Sequence, residues 1–181
     1  MKPCLFLDRD GVIIKNVPYS NDPESVVLLE GITSLIQQAQ ALEYHVICIT
    51  NQSGIGRGWV SLDAYYAITA RMEQELAKSG CKLDAIYFAP YFEKATDPQW
   101  LAKPEWRKPN PGMIEQACVD FKIDLAKSLI VGDRSSDLEA GLRGQIPRRV
   151  LVASIDFPDE ILSVPSGIDF QYVQKVSEIS L

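Results

Sequence analysis

A three-layer α/β fold on a doubly wound parallel sheet is the fold class this sequence predicts. Short apolar, β-branched runs alternate with amphipathic helical patterns along all 181 residues, the order produced by right-handed crossovers between parallel strands. No internal repeat, low-complexity tract or linker divides the chain. Residues 1–181 are therefore expected to form one domain, with 46% hydrophobic content to build its core. Polar clusters follow several of the apolar runs, where sheets of this kind bind their ligands.

The elements follow in order. "CLFLD" (4–8) reads as the first strand, with a loop to about residue 30. Residues 31–44 place Ile32, Leu35, Ile36, Ala39 and Leu42 on one helical face. "HVICIT" (45–50) is β-branched and reads as a strand; residues 61–80 read as a helix with Ser61 as N-cap and Gly80 as stop. "AIYFA" (85–89) is a third strand, followed by a loop rich in Pro and Trp. A helix then begins near "NPGMIEQACVDF", with Pro111 in its first turn. "SLIVGD" (128–133), a short helix over 135–144, "RVLVA" (149–153) and a last short strand at "DFQYV" complete the pattern.

Composition narrows the classes. No apolar stretch approaches the length that spans a bilayer, and "MKPCLFLDRD" places two carboxylates where the apolar core of a signal peptide would have to continue. A soluble, cytoplasmic protein with no membrane partner is expected. A net charge of -6 counts against nucleic acid as a partner. Cys4, Cys48, Cys81 and Cys118 form no CxxC pair and read as reduced thiols. The single histidine, His45, opens a strand and reads as structural, and Arg143, Arg148 and Arg149 read as a solvated surface.

The strand ends carry the chemistry. Asp8 and Asp10 leave the first strand side by side, and such carboxylates coexist ionised if a divalent cation lies between them, with Asp133 as a third ligand. Magnesium prefers oxygen ligands and keeps several waters, so a few protein groups suffice. Phosphoryl transfer mainly requires positioning and charge stabilisation around the moving group. The Thr50 hydroxyl, the amides of Asn51 and its neighbours, and the Lys108 cation suit those oxygens, while Arg107 offers a planar fork to a second anionic or polar part of a substrate. Asp137 reads equally as a partner of the metal site or as a helix first-turn carboxylate.

"FLDRDG", "TNQSGIGRG", "RKPNPGM" and "VGDRSSD", in that order, resemble the haloacid dehalogenase superfamily of aspartate-nucleophile phosphatases. More narrowly, they are similar to the branch holding heptose 1,7-bisphosphate and histidinol-phosphate phosphatases. The resemblance runs over almost the whole chain. It implies that Asp8 is the nucleophile and that Asp10 protonates the leaving alcohol and then activates water. Thr50 and Lys108 would stabilise the phosphoryl group. Magnesium would be held by Asp8, the Asp10 backbone carbonyl and Asp133. Arg107, Asn16 to Tyr19, Asn51, Gln52, Ser53 and Arg134 match substrate-contacting positions.

The chain departs from that branch in its long loop. Relatives carry a structural zinc on a Cys-x-His and a Cys-x-Cys pair; here the four positions are Ala89, Tyr91, Pro104 and Trp106. No structural zinc is expected, and Tyr91, Phe92, Trp100 and Trp106 are expected to pack the loop instead. Val12 and Ile14 replace a frequent threonine and asparagine. The gaps at 11–30 and 90–110 are too short for a cap domain, so the resemblance implies a capless HAD-like Rossmannoid enzyme, expected as a monomer.

The expected function is a magnesium-dependent phosphatase for a small phosphorylated metabolite in carbohydrate metabolism. D-glycero-D-manno-heptose 1,7-bisphosphate, cleaved at position 7, is the leading substrate. Histidinol phosphate is the nearest rival. A DNA 3'-phosphatase is more distant and is disfavoured by the acidic balance. A non-catalytic phosphosugar-binding protein is the alternative from another class, and the presence of both Asp8 and Asp10 argues against it.

Overall fold

The computed structural model describes residues 1–95, 97–101 and 103–181. Six strands form one sheet: β1 (Cys4–Leu7), β2 (His45–Asn51), β3 (Ala85–Ala89), β4 (Leu129–Gly132), β5 (Arg148–Val152) and β6 (Gln171–Val173). Their order is β3-β2-β1-β4-β5-β6, and every pairing is parallel. The chain thus winds outward from β1 in one direction and then, from β4, in the other. This reversal opens a crevice beyond the carboxyl ends of the central strands.

Among the described residues, five α-helices accompany the sheet: α1 (Ile32–Ala41), α2 (Ser53–Gly56), α3 (Leu62–Ala77), α4 (Gly112–Phe121) and α5 (Ser135–Arg143). Alternation along β1 decides which face each residue serves. Leu5 and Leu7 join Ile32, Leu35 and Ile36 of α1 and Ile68, Met72 and Leu76 of α3 on one side. Cys4 and Phe6 join Met113, Ile114 and Ala117 of α4 and Ala140 of α5 on the other. These strands are covered on both faces, which is why they read as continuous apolar runs.

The expected elements are present with shorter ends. α1 starts after Gly31, whose φ of 89° interrupts the helix on its N-terminal side. Ser61 caps α3 by accepting from the Ala64 amide at 3.0 Å. α3 closes at Ala77, three residues before the predicted stop at Gly80. Pro111 sits at the N-cap of α4 rather than inside its first turn. The short helix α2 has no periodicity long enough to announce it, and "NQSG" reads locally as a turn.

Among the described residues, the connections from β1 to α1 and from β3 to α4 contain only loops and short turns, so no cap domain rises over the sheet. Val12 and Ile14 are buried in the core of the first connection. In the second, the aromatic residues expected to pack together divide, with Tyr91 and Trp106 against one core cluster and Trp100 against another. Trp106 donates its indole N–H to the Phe88 carbonyl at 2.8 Å and meets Tyr87 edge-on at 6.3 Å. The Phe92 amide donates to the Trp100 carbonyl at 3.0 Å. Arg149 departs from the solvated-surface reading: its guanidinium donates to the carbonyls of Ile146 and Asp169 and ties the start of β5 to the loop before β6. Among the described residues no helix is long and apolar enough to cross a membrane.

Candidate active site

Asp8 follows β1 directly and Asp133 follows β4 directly, and these strands are neighbours in the sheet. Two short segments therefore deliver their carboxylates to one point at the topological switch. Two glycines make the approach possible. A Cβ on Gly11, whose φ is 82°, would lie 2.3 Å from Asp133 Oδ2, and one on Gly132 would lie 2.2 Å from Asp137 Cγ. Only hydrogen at these positions lets the carboxylates seat so closely.

Asp8, Asp133 and Asp137 bring one carboxylate oxygen each to within 4.8 Å of one another. All three are buried, and the Lys108 ammonium lies among them. Its Nζ is 3.0 Å from Asp8 Oδ1 and 2.6 Å from Asp137 Oδ1, and it donates to the Ile49 carbonyl at 2.8 Å. Of these three contacts the one to Ile49 is a hydrogen bond, while the two carboxylates pair with the ammonium through charge. Lys108, expected to stabilise the phosphoryl group, lines the cavity with its ammonium beside Asp8.

The excess of negative charge has a cost. Burial, reinforced by Asp137 and Asp10 and opposed by Lys108, pushes the Asp8 carboxyl up to about 6. Burial, followed by the charges of Asp8 and Asp137, pushes Asp133 up to about 8. Three close carboxylates with one ammonium suit a divalent cation, because the cation would supply the missing positive charge. The residues present therefore fit magnesium, with Asp8 and Asp133 oriented to hold it. Asp137 is committed elsewhere: it pairs with Lys108 and accepts the Arg134 amide at 3.0 Å, capping α5.

Asp10 has a different employment. Its carboxylate is outside the metal-type cluster, so any contribution to a cation would come through its backbone carbonyl. Arg9 grips the side chain with Nη2 at 2.9 Å and 3.1 Å and Nε at 3.2 Å, and Gln52 Nε2 reaches Asp10 Oδ2 at 2.8 Å. Arg9 is itself buried, with its guanidinium 5.6 Å from the Tyr65 ring centroid. Sequence reasoning did not assign Arg9 this clamp, which is a bidentate ion pair seen only in the structure.

The end of β2 and the residues after it both line the site and support it. Asn51 donates to the Lys108 carbonyl at 3.0 Å and accepts the Lys108 amide at 3.1 Å, clamping that residue's backbone. Gln52 donates to Thr50 Oγ1 at 2.9 Å as well as to Asp10. Both residues border the cavity, and their side chains also position Lys108, Thr50 and Asp10.

Apart from Asp137, the catalytic, metal-binding and substrate-contacting candidates from the sequence border one cavity of about 510 Å³. Asp8, Asp10, Thr50, Lys108 and Asp133 form its floor. Asn16, Tyr19, Ser53, Arg107 and Arg134 lie along its walls with Asn51 and Gln52. Tyr19 adopts a φ of 54° and meets Trp59 edge-on at 4.6 Å. Arg134 is held by Glu160, 3.1 Å from its Nε, and stacks 3.7 Å from the Phe157 ring centroid. Neither Phe157 nor Glu160 was legible as a site residue, because both come from an irregular stretch after β5.

Comparison with known proteins agrees with this architecture. A HAD-hydrolase-like family model matches residues 105–174. The chain is 41% identical over 153 residues to the D-glycero-alpha-D-manno-heptose-1,7-bisphosphate 7-phosphatase of Burkholderia mallei, covering 84% of this chain and 81% of the relative. It is 37% identical to a D-glycero-beta-D-manno-heptose-1,7-bisphosphate 7-phosphatase of Mesorhizobium japonicum, covering 83% and 69%. The crystal structure of D,D-heptose 1,7-bisphosphate phosphatase from B. bronchiseptica, complexed with magnesium and phosphate, superposes with a TM-score of 0.81 at 27% identity, covering 98% and 94%.

Fold and relatives together define the class as a phosphatase on a HAD-like α/β sheet. Within that class the chain belongs to the haloacid dehalogenase superfamily branch of the heptose-1,7-bisphosphate phosphatases.

Proposed function

We propose that this phosphatase removes the 7-phosphate of D-glycero-D-manno-heptose 1,7-bisphosphate in a magnesium-dependent reaction, with Asp8 as nucleophile. One observation carries the reading. The hydrogen bond from the Arg9 amide (2.7 Å) and the Lys108 contact (3.0 Å) both fall on Asp8 Oδ1, so Oδ2 is the oxygen left to attack phosphorus. The carboxylate is thus oriented and only partly neutralised, which keeps it nucleophilic.

The Oδ2–phosphorus bond forms as the ester bond to the leaving oxygen breaks, and that oxygen takes its proton from Asp10. Water activated by Asp10 then cleaves the aspartyl-phosphate and restores Asp8. Arg9 and Gln52 hold the Asp10 carboxyl in place for both proton transfers. Thr50 receives its hydrogen bond from Gln52 and so keeps its own hydroxyl proton to donate to a phosphoryl oxygen. Magnesium, held by Asp8, Asp133 and the Asp10 backbone carbonyl, would supply the charge that lets a phosphate approach a carboxylate. Arg107, Arg134, Asn16 and Tyr19 line the route by which the sugar enters.

The relatives include enzymes named for either anomer, so the test uses both. Phosphate release would be measured on the α- and β-heptose 1,7-bisphosphates, histidinol phosphate and a 3'-phosphorylated DNA. A heptose bisphosphate should give the highest kcat/KM, with loss of the 7-phosphate. A preference for either of the other two substrates would overturn the assignment.

A further inference from the structure

Arg134 follows Asp133 and precedes α5, and its side chain stays 42% exposed on the wall of the main cavity. An arginine so placed has many rotamers open to it, and fixing one at the moment of binding costs entropy. Here one rotamer is already held, by contacts from the irregular stretch after β5.

Glu160 supplies the first contact. Its Oε1 accepts the Ser135 amide at 2.6 Å and its Oε2 lies 3.1 Å from Arg134 Nε, with only 12% of the Glu160 side chain exposed. Both oxygens thus engage adjacent residues, which fixes the Nε edge of the guanidinium. Phe157 supplies the second contact. The guanidinium carbon lies 3.7 Å from its ring centroid, a stack that orients the cation without cancelling its charge. Phe157 lines the cavity together with Arg134. The contact to Nε leaves the two terminal nitrogens, which carry most of the fork's donors, for oxygens of a ligand.

The segment is itself anchored. The Glu160 amide donates to the Phe157 carbonyl at 3.1 Å, closing a turn between the two residues. Just beyond it, Ile161 and Val164 pack against Leu138 of α5, Leu151 of β5 and Ile168. Before it, Asp156 Oδ2 accepts the Asn16 side-chain amide at 3.0 Å, so the segment also holds a second residue of the cavity wall. Glu160 and Phe157 are therefore tied to the same packing as the helix that follows Arg134.

We propose that Phe157 and Glu160 are positioning residues that preorganise the Arg134 fork for oxygen atoms of the substrate. The proposal rests on the reading of the substrate as a sugar phosphate that enters past Arg134.

The test is a double-mutant cycle on heptose 1,7-bisphosphate. Arg134→Met should raise KM by about tenfold, and Glu160→Gln, which keeps an oxygen for the Ser135 amide, should raise it by about threefold or more. Adding Glu160→Gln to Arg134→Met should change KM no further, because Glu160 acts through Arg134; independent structural effects would multiply instead. Phe157→Leu should act as Glu160→Gln does, and Phe157→Tyr, which keeps the ring, should retain the parent KM. That pair carries the test should Glu160→Gln fail to fold. Multiplied effects in the double variant, or a Glu160→Gln enzyme with the parent KM, overturn the positioning role while leaving the substrate assignment intact. If the parent prefers another ester, the substrate reading falls, and the same cycle on the preferred ester decides the positioning role by the same outcomes.

Discussion

Lys108 Nζ lies 2.6 Å from Asp137 Oδ1, and both side chains are almost wholly shielded from water. The pair joins the loop after β3 to the first turn of α5 and holds a positive charge against the proposed nucleophile. Removing one member of such a pair leaves the other buried and under-compensated. Asp137→Asn should therefore destabilise the fold by about 3 kcal/mol and lower kcat more than it raises KM. Urea unfolding of the purified variant and steady-state kinetics check both halves. Wild-type stability would show that the pair contributes nothing to the fold.

Asp8→Asn removes the nucleophile with little change of shape. Lys108 keeps Asp137 and the Ile49 carbonyl as partners, so the variant should fold. Turnover should fall by about a thousandfold or more. Acid-quenched parent enzyme should carry phosphate on residue 8, and recovery of the label on another residue would show the nucleophile to be misassigned.

The metal-free protein should lose stability as pH rises. Asp8 and Asp133 carry native pKa values of about 6 and about 8, against ordinary values near 3.8. Because these values are raised, the native state binds more protons than the unfolded state between the two limits, and stability falls with pH across that window. For Asp8 the fall is complete above about 6, and for Asp133 above about 8. Magnesium should reverse it, and should raise the melting temperature more at pH 8 than at pH 5. Calorimetry with EDTA or magnesium at both pH values reads the effect. Equal magnesium stabilisation at the two pH values would count against cation binding by these carboxylates.

Trp106 stands where relatives are expected to place a zinc ligand, and it anchors the loop through the Phe88 carbonyl and the edge of Tyr87. Trp106→Ala should cost about 3 kcal/mol, the lower end for an aromatic truncation because the residue is only half-buried. Added zinc should not restore it. Elemental analysis of the parent should find zinc well below one equivalent, and a full equivalent would refute the account of this loop.

How far each part was legible follows from the range of the forces involved. The apolar run "CLFL" and the spacing of Ile32, Leu35 and Ile36 are local patterns, and the structure forms β1 and α1 from them with those residues buried. The short helix α2 and the ends of α3 and α4 were less legible, because four residues hold no full period and helix ends depend on capping. Asp8 and Asp133 were legible as a pair because each follows an apolar strand at the edge where such sheets bind ligands. Arg9, Phe157 and Glu160 were not, since their parts in the cavity depend on contacts that no sequence spacing records.

The sequence by itself determined the layered parallel architecture, the order of the polar strand ends and the kinds of donor available to a phosphate. Tertiary structure decided which of those donors were already taken. Asn51 grips Lys108 across 57 positions, and Lys108 reaches the Ile49 carbonyl across 59. Such pairs form only once sheet order has brought separate loops together. The same packing sets Arg57 near Arg107, across 50 positions. Periodicity reports which side of an element is buried; it carries no record of which polar group will lie within 3 Å of another.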